Sequence, residues 1–326
     1  MFYVKGMFFG VLCLLFVCTL SAGAFEMGEK DEPSLADFLI SPGKGQVLTQ
    51  LSYNYSTMSE KLVLSNADLA AISAKESTPA LSFLYGATDR LSFGLGLQYT
   101  LSSDEQVDYV NALYADYSTT SQGLNDPTIF VKGRIFGSQN QHLMGNMHVA
   151  VSPGIIEAKS ATKTTDGTMG KGGTDVQAGI EIGTPLRTTQ VSLSLNYTMR
   201  SDRTTKDADT GDESKHSGGN ALDAGLSGQV VLTPGTTGAL FYSFQSVASR
   251  EIKQSGTVSY TEKDGQYTVH TVGIGLASEI SENDVITATY SVSKISDIDF
   301  DISTGSTGVI KDIKGSAFNI SWLSRF

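Results

Sequence analysis

The sequence is short of most of what a soluble enzyme is built from. Of 326 residues only 17% are charged, and there are just 7 prolines, 4 histidines, 2 cysteines and 1 tryptophan. A water-soluble globule usually carries charge on about a quarter of its residues, so an ordinary cytosolic domain is disfavoured. Both cysteines, Cys13 and Cys18, lie in the first 24 residues, which leaves the rest of the chain without a thiol, a disulfide or a Cys metal site. Basic residues are outnumbered 34 to 23, for a net charge of −11, which argues against a nucleic-acid partner. Beyond residue 24 no apolar run approaches the roughly 20 residues of a spanning helix. If this chain sits in a membrane, a closed barrel is the one spanning form left to it. A mean hydropathy near zero fits a sheet with one face in lipid and the other in water.

The N-terminus has the form of a secretory signal peptide. Lys5 supplies the positive start, residues 7–20 the apolar core and Ala22-Gly23-Ala24 the small residues before a cut after Ala24. Losing Lys5 alone takes the net charge from −11 to −12. Residues 25–44 carry Glu26, Glu29, Lys30, Asp31 and Glu32, too polar for lipid. They read as a periplasmic segment, either tucked into a lumen as a plug or trailing as a disordered tail.

Residues 45–326 repeat one pattern: apolar residues alternating with polar or small ones, then a connection. In 91–101, Leu91, Phe93, Leu95, Leu97, Tyr99 and Leu101 share one face, and Ser92, Gly94, Gly96, Gln98 and Thr100 the other. A period of two over eleven residues is a strand long enough to cross a tilted bilayer. Similar runs fall near 46–57, 78–87, 126–136, 142–156, 173–184, 190–200, 221–232, 238–247, 267–277, 285–294 and 313–326. The expected fold is all-β, an antiparallel transmembrane barrel of about twelve strands. Long connections (58–77, 102–125, 157–172, 201–220, 248–266, 295–312) alternate with short ones, as extracellular loops alternate with periplasmic turns. Pro234-Gly235 and Glu282-Asn283-Asp284 have the chemistry of such turns. Tyr53, Tyr55, Tyr99, Tyr197, Tyr242 and Tyr290 fall at the loop-side ends of upward strands, where a headgroup-level girdle is expected. The chain stops on Phe326, in parity with Phe318, Ile320 and Trp322, like the C-terminal signal that the barrel-assembly machinery reads.

Several segments carry a resemblance. They are Gly86-Ala87-Thr88-Asp89-Arg90-Leu91, then Gly123-Leu124-Asn125-Asp126-Pro127-Thr128 with Lys132-Gly133-Arg134, then Ser152-Pro153-Gly154 and Gly172-Gly173-Thr174-Asp175. Over residues 80–185 the chain resembles the outer-membrane family labelled as meta-pathway of phenol degradation proteins, barrels taken to be transporters. The resemblance implies uptake of small compounds, hydrophobic ones among them.

Catalytic and metal-binding patterns are incomplete. No His-x-Ser pair or Gly-x-Ser-x-Gly elbow accompanies His142, His148, His216 or His270. Asp207, Asp209, Asp212, Glu213 and His216 imitate a protease mouth but read more simply as a solvated loop. Asp297, Asp299 and Asp301 start like a calcium loop, yet Ile302 and Gly308 stand where Gly and Glu are needed. Their alternation with Ile298 and Phe300 suggests a strand above the membrane instead. No enzyme activity, cofactor or metal is therefore expected. The inward parity carries Lys132, Arg134, His148, Asp175, Gln177, Glu181, Asp223 and Gln229, because a Lys or Arg facing lipid at the midplane would cost about 2–4 kcal/mol. Basic residues on one strand and acidic ones on others read either as a polar path or as stabilising ion pairs. Small inward residues such as Gly94, Gly179, Gly225 and Gly273 suggest open space.

The expected function is a monomeric passive channel for small solutes, hydrophobic ones among them, partnered by outer-membrane lipids; the alternative is a binding protein whose long loops do the work. Purified protein should show heat-modifiable electrophoretic mobility, a compact band turning into a slower one on boiling. A circular-dichroism spectrum dominated by helix would contradict the barrel.

Overall fold

The computed structural model describes residues 41–64, 67–110, 114–137, 142–184, 188–256 and 259–326. The proposed signal peptide and residues 25–40 lie outside the described residues. Twelve strands form the barrel: β1 Val47–Leu64, β2 Ala67–Thr88, β3 Leu91–Tyr109, β4 Thr128–Phe136, β5 Met144–Ser152, β6 Asp175–Gly183, β7 Thr189–Arg200, β8 Ala221–Thr233, β9 Thr236–Val247, β10 Tyr267–Ser281, β11 Asp284–Ile295 and β12 Thr307–Arg325. Each pairs antiparallel with its sequence neighbours, and β1 pairs with β12, so the sheet closes on itself. Among the described residues there is no helix.

The alternation decides which way each side chain points. On β3, Phe93, Leu95, Tyr99 and Leu101 are exposed on the outside while Ser92 and Thr100 are fully buried inside. The other strands repeat this, leaving a continuous outer belt of Leu, Ile, Val, Phe and Tyr. Such a belt would be untenable in water and is what a lipid-facing barrel wall requires. The periplasmic turns are tight. Pro234-Gly235 joins β8 to β9 with Gly235 at φ 83°, a left-handed position glycine occupies without strain. After β2, the Thr88 hydroxyl accepts from the backbone N–H groups of Arg90 and Leu91.

The expected long loops are largely strand, which corrects the reading of 58–77, 102–125, 201–220, 248–266 and 295–312. β1, β2 and β3 run on to residues 64, 67 and 109. Five further strands, Tyr117–Leu124, Arg203–Asp207, Glu213–Gly218, Arg250–Ser255 and Tyr260–Asp264, rise beside them together with Ile298–Ile302. Cross-links between hairpins carry the wall upward: Glu213–Gly218 pairs with Arg250–Ser255, Tyr260–Asp264 with Ile298–Ile302, and the latter with β12. Lys159–Ser160 closes a gap by pairing parallel with Lys206 and Asp207. The sequence does not show these strands because the alternation inverts once the wall leaves lipid. Outside, Lys61, Lys75, Asp104, Asp299 and Asp301 now face water, and inside, Met58, Leu62, Ile72, Val107, Ile298, Phe300, Ile310 and Ile313 pack into an apolar core. The strand reading of Ile298, Phe300 and Ile302 holds.

One irregularity sets the phase of β12. Asp312 sits at φ 54°, and the register against β1 slips between Ser59 and Lys61. Lys311 and Asp312 both face out, Ile310 and Ile313 both face in, and Lys61 Nζ lies 3.1 Å from Asp312 Oδ2. This is a β-bulge, one extra residue that re-aims the strand.

Several inward glycines are filled rather than open. A Cβ at Gly94 would overlap the Phe130 ring from the next strand, and Gly273 is covered likewise by Phe241. Gly179 receives His148 and Asn196, and Gly225 the Ser194 hydroxyl. The glycines are sockets for neighbouring side chains, so small size there does not mean open space. Gly94→Val should therefore cost about 1–3 kcal/mol of unfolding free energy through overpacking. The cost should shrink in a Phe130→Ala background, and equal costs in both backgrounds, read from urea midpoints in detergent, would contradict the socket.

Candidate functional site

At membrane level the inner wall is lined by hydroxyls and amides. Many bond across strands: Thr271 to Ser293 at 2.8 Å, Thr287 to Ser321 at 2.6 Å, Ser192 to Ser227 at 2.6 Å and Thr78 to Thr100 at 3.3 Å. An apolar layer of Leu48, Ala277 and Val285 lies toward the periplasmic turns, and the upper apolar core lies beyond the other end.

The candidate lumen residues all occupy the parity opposite the lipid-facing one. Lys132 Nζ lies 3.6 Å from Glu181 Oε2, and Arg134 Nε donates to Asn146 Oδ1 at 3.5 Å. Lys171 Nζ is 3.3 Å from Asp175 Oδ2, whose other oxygen takes the Arg203 guanidinium. Gln177 donates to Thr198 at 3.5 Å, and Gln245 donates to Asp223. Gln229 is buried, with neither side-chain oxygen nor nitrogen hydrogen-bonded. Of the two readings of these charges, the ion-pair one describes Lys132, Glu181 and Asp175. Arg203 and Lys171 were not in the expected set, because both lie in segments read as loop.

Register joins several of these into one row. Ser92 lies opposite Lys132, Lys132 opposite His148, His148 opposite Gly179, Gly179 opposite Asn196, Asn196 opposite Asp223, and Asp223 opposite Gln245. His148 and Asn196 meet over Gly179 because that position has no side chain.

The expected girdle tyrosines, Tyr53, Tyr55, Tyr99, Tyr197, Tyr242 and Tyr290, all project outward and are 37–48% exposed. The Tyr53 hydroxyl donates to Ser77 at 3.2 Å, and the Tyr242 hydroxyl lies 2.8 Å from His270 Nδ1. His270 therefore belongs to the outer rim. Phe318, Ile320 and Trp322 also face out, with Trp322 Nε1 donating to Asp284 at 3.0 Å. Phe326 and Val47 exchange two backbone hydrogen bonds of 2.9 Å, sealing β12 to β1 at the chain's end. Of the segment read as periplasmic, residues 41–44 are described. Gly45 donates to the Gly86 carbonyl, and Pro42 and Gly43 press on inward-facing Gly86.

Above the membrane the interior holds carboxyls without obvious sequence warning. Glu60 and Glu76 are each 2% exposed and Glu105 stands beside them on β3. Burial pushes the Glu60 carboxyl up to about 7. Burial and the neighbouring Glu60 push Glu105 up to about 8. On the opposite side Arg250 Nε donates to Asp264 at 2.9 Å, and Glu262 beside it is pushed up to about 8 by burial and by Asp264. His216 is buried, not displayed at a mouth, and is pushed down to about 4 by burial and by Arg250 and Arg203. Asp207 spends its carboxylate on a turn, accepting from the N–H groups of Asp209 and Thr210. Inverted alternation is the signal that would have placed these residues inside.

No family model and no curated protein matches the chain. Solved structures do. The COG4313 outer membrane channel from Pseudomonas putida F1 superposes with a TM-score of 0.56 at 14% identity, covering 92% of this chain and 100% of that one. The TodX deltaS2S3 mutant monoaromatic hydrocarbon channel gives 0.50 at 11% identity, with 93% and 95% covered. The outer membrane protease OmpT from Escherichia coli gives 0.38 at 8%, too low to bear on activity. The fold is that of outer-membrane barrels.

The buried carboxyls set a pH dependence. Glu60 and Glu105 hold their protons more tightly folded than unfolded, so their contribution is complete below about 4.5 and is lost as pH rises to about 8. His216 acts oppositely, but only between about 4 and 6.5. From pH 6.5 to 8 the upper wall should therefore loosen. Hydrogen exchange in residues 58–64 and 103–109, corrected for intrinsic rate, should quicken in the native protein and much less in Glu60→Gln/Glu105→Gln. Equal acceleration in both would count against it.

Proposed function

We propose that the protein is a monomeric channel of the bacterial outer membrane through which small solutes pass passively. The observation that carries this is the hydroxyl- and amide-lined interior at membrane level. A barrel serving only as a mount would be held most cheaply by an apolar packed interior, with fewer buried polar groups to satisfy. Twelve strands also fall between the eight of side-chain-filled barrels and the sixteen or more of open porins. The names of two structural neighbours, an outer membrane channel and a monoaromatic hydrocarbon channel, support the same class. In this reading the outward Tyr residues anchor the barrel at the headgroups, and Phe318, Ile320, Trp322 and Phe326 serve the assembly machinery.

The extracellular sheet with its own apolar core gives some support to a second reading, a surface that binds a partner while the barrel holds it. The two separate in reconstitution. Purified protein in a planar bilayer should give discrete conductance steps, small compared with those of a sixteen-stranded porin. A protein that yields neither conductance nor solute flux would overturn the channel.

A further inference from the structure

We propose that the outer wall docks the phosphates of an outer-leaflet glycolipid on five lysines gathered just above the girdle. They are Lys75 on β2, Lys61 on β1, Lys311 and Lys314 on β12 and Lys294 on β11, all exposed. Whether the barrel conducts has no bearing on this surface. The four strands are neighbours in the wall, in the order β2, β1, β12, β11. Lys294 and Lys314 lie four residues beyond the outward rings of Tyr290 and Phe318, which form one aromatic row with Tyr55. Four residues are about 13 Å of strand, and roughly 10 Å of height once the strand tilts. The lysines thus look out on the phosphate- and sugar-bearing layer above the apolar belt.

Within the wall these residues repel one another. Lys294 is directly opposite Lys314, and Lys61 directly opposite Lys311. Like charges in that relation weaken a sheet. The protein supplies one counter-charge, Asp312, 3.1 Å from Lys61. Hydrogen bonding and attraction from Lys61, then the charges of Lys314 and Lys294, hold the Asp312 carboxyl below its ordinary value. Among the described residues no carboxylate forms an ion pair with Lys75, Lys294, Lys311 or Lys314. The β-bulge adds to the crowding. Strict alternation upward from Phe318 would turn Lys311 inward, toward the apolar core. The extra residue at Asp312, the one non-glycine with a left-handed φ among the described residues, turns Lys311 out. Lysines massed on an exposed wall and left unneutralised from within point to an anion from outside.

The setting selects that anion. In this sector Asp299, opposite Val309, and Asp301, opposite Thr307, stand higher than Lys311, so the basic band lies between them and the lipid. Asp104, opposite Lys75, shares the band's level and accepts from the Thr120 hydroxyl at 2.8 Å. In a chain of net charge −11, lysines gathered beside the membrane favour an anion that lives there. A soluble anion needs no apolar neighbour, whereas Tyr55, Phe318, Tyr290 and Val292 are exposed directly below. An amphipathic anion meets both, with phosphates on the lysines and acyl chains along the belt. A basic cluster flush with a bilayer is the general form of anionic-lipid recognition. The loop side of the barrel makes the leaflet the outer one. From β2 to β11 the band crosses three strand spacings, about 14 Å, enough for a disaccharide carrying two phosphates.

The test uses the whole protein in detergent micelles, with diphosphoryl lipid A as probe and retention read by native mass spectrometry. The native protein should keep lipid A in preference to phosphatidylglycerol. Lys294→Gln combined with Lys314→Gln should weaken retention about thirtyfold, the usual gain of a Lys near an anionic surface lost twice. Lys215→Gln combined with Lys253→Gln is the control. That pair is also directly opposed and exposed, but it lies on the upper wall and should leave retention unchanged. Without lipid A, the urea midpoint of the Lys294/Lys314 variant should be no lower than the native one, since a repulsion has been removed. A lower midpoint would assign the lysines to the fold and overturn the docking surface. Unchanged retention in that variant, or an equal loss in the control, would overturn it too, as would equal retention of phosphatidylglycerol or of dephosphorylated lipid A.

Discussion

The structure depends on one constraint: in hydrocarbon, every backbone N–H and C=O must find a partner within the protein. A sheet meets it only by having no edge. The seam between β1 and β12 is therefore the decisive contact, running along both strands from Leu48 opposite Arg325 to Leu64 opposite Gly308 and finishing in the paired backbone groups of Val47 and Phe326. Around that seam the chain guards the ends. Arg325 is buried against Asn283 and the Glu282 carbonyl in the neighbouring turn, and Asp284 holds Trp322.

Closure then forces two different interiors. Where lipid lies outside, the wall is apolar outward and polar inward; where water lies outside, the pattern reverses. The same strands carry both patterns, so β1 passes from exposed Leu51 and Tyr55 to exposed Lys61 in a few residues. The transition falls near the tyrosine girdle. Within the lipid-level wall, inward glycines receive a neighbour's ring, Phe130 over Gly94 and Phe241 over Gly273.

What could be read in advance follows from this division. Strand β7 was legible almost to the residue, and the lipid-level part of β3 likewise, since lipid imposes strict alternation on Leu91–Leu101 and Val191–Met199. The turn at Pro234-Gly235 and the outward Tyr residues were legible for the same reason. The upper strands were not, because a half-inverted pattern rich in Lys, Asp and Ser looks like loop. The inward positions of Lys132, Glu181 and Asp175 could be inferred from parity, but their partners could not. Arg203 reaches Asp175 across 28 residues of sequence, a distance that only the closed wall makes short. The buried, unpartnered amide of Gln229 is likewise a property of neighbours that alternation does not reveal.

The apolar core above the girdle makes one sheet obey two thermodynamic regimes. The lipid-facing wall keeps its apolar surface in an apolar medium whether or not the top is folded. The packing of Met58, Ile72, Val107, Phe300 and Ile313 removes apolar surface from water, the process that carries a large heat-capacity change. Calorimetric curvature, and any weakening in the cold, belongs to this upper storey. The spanning ring beneath it is insulated from both by the bilayer.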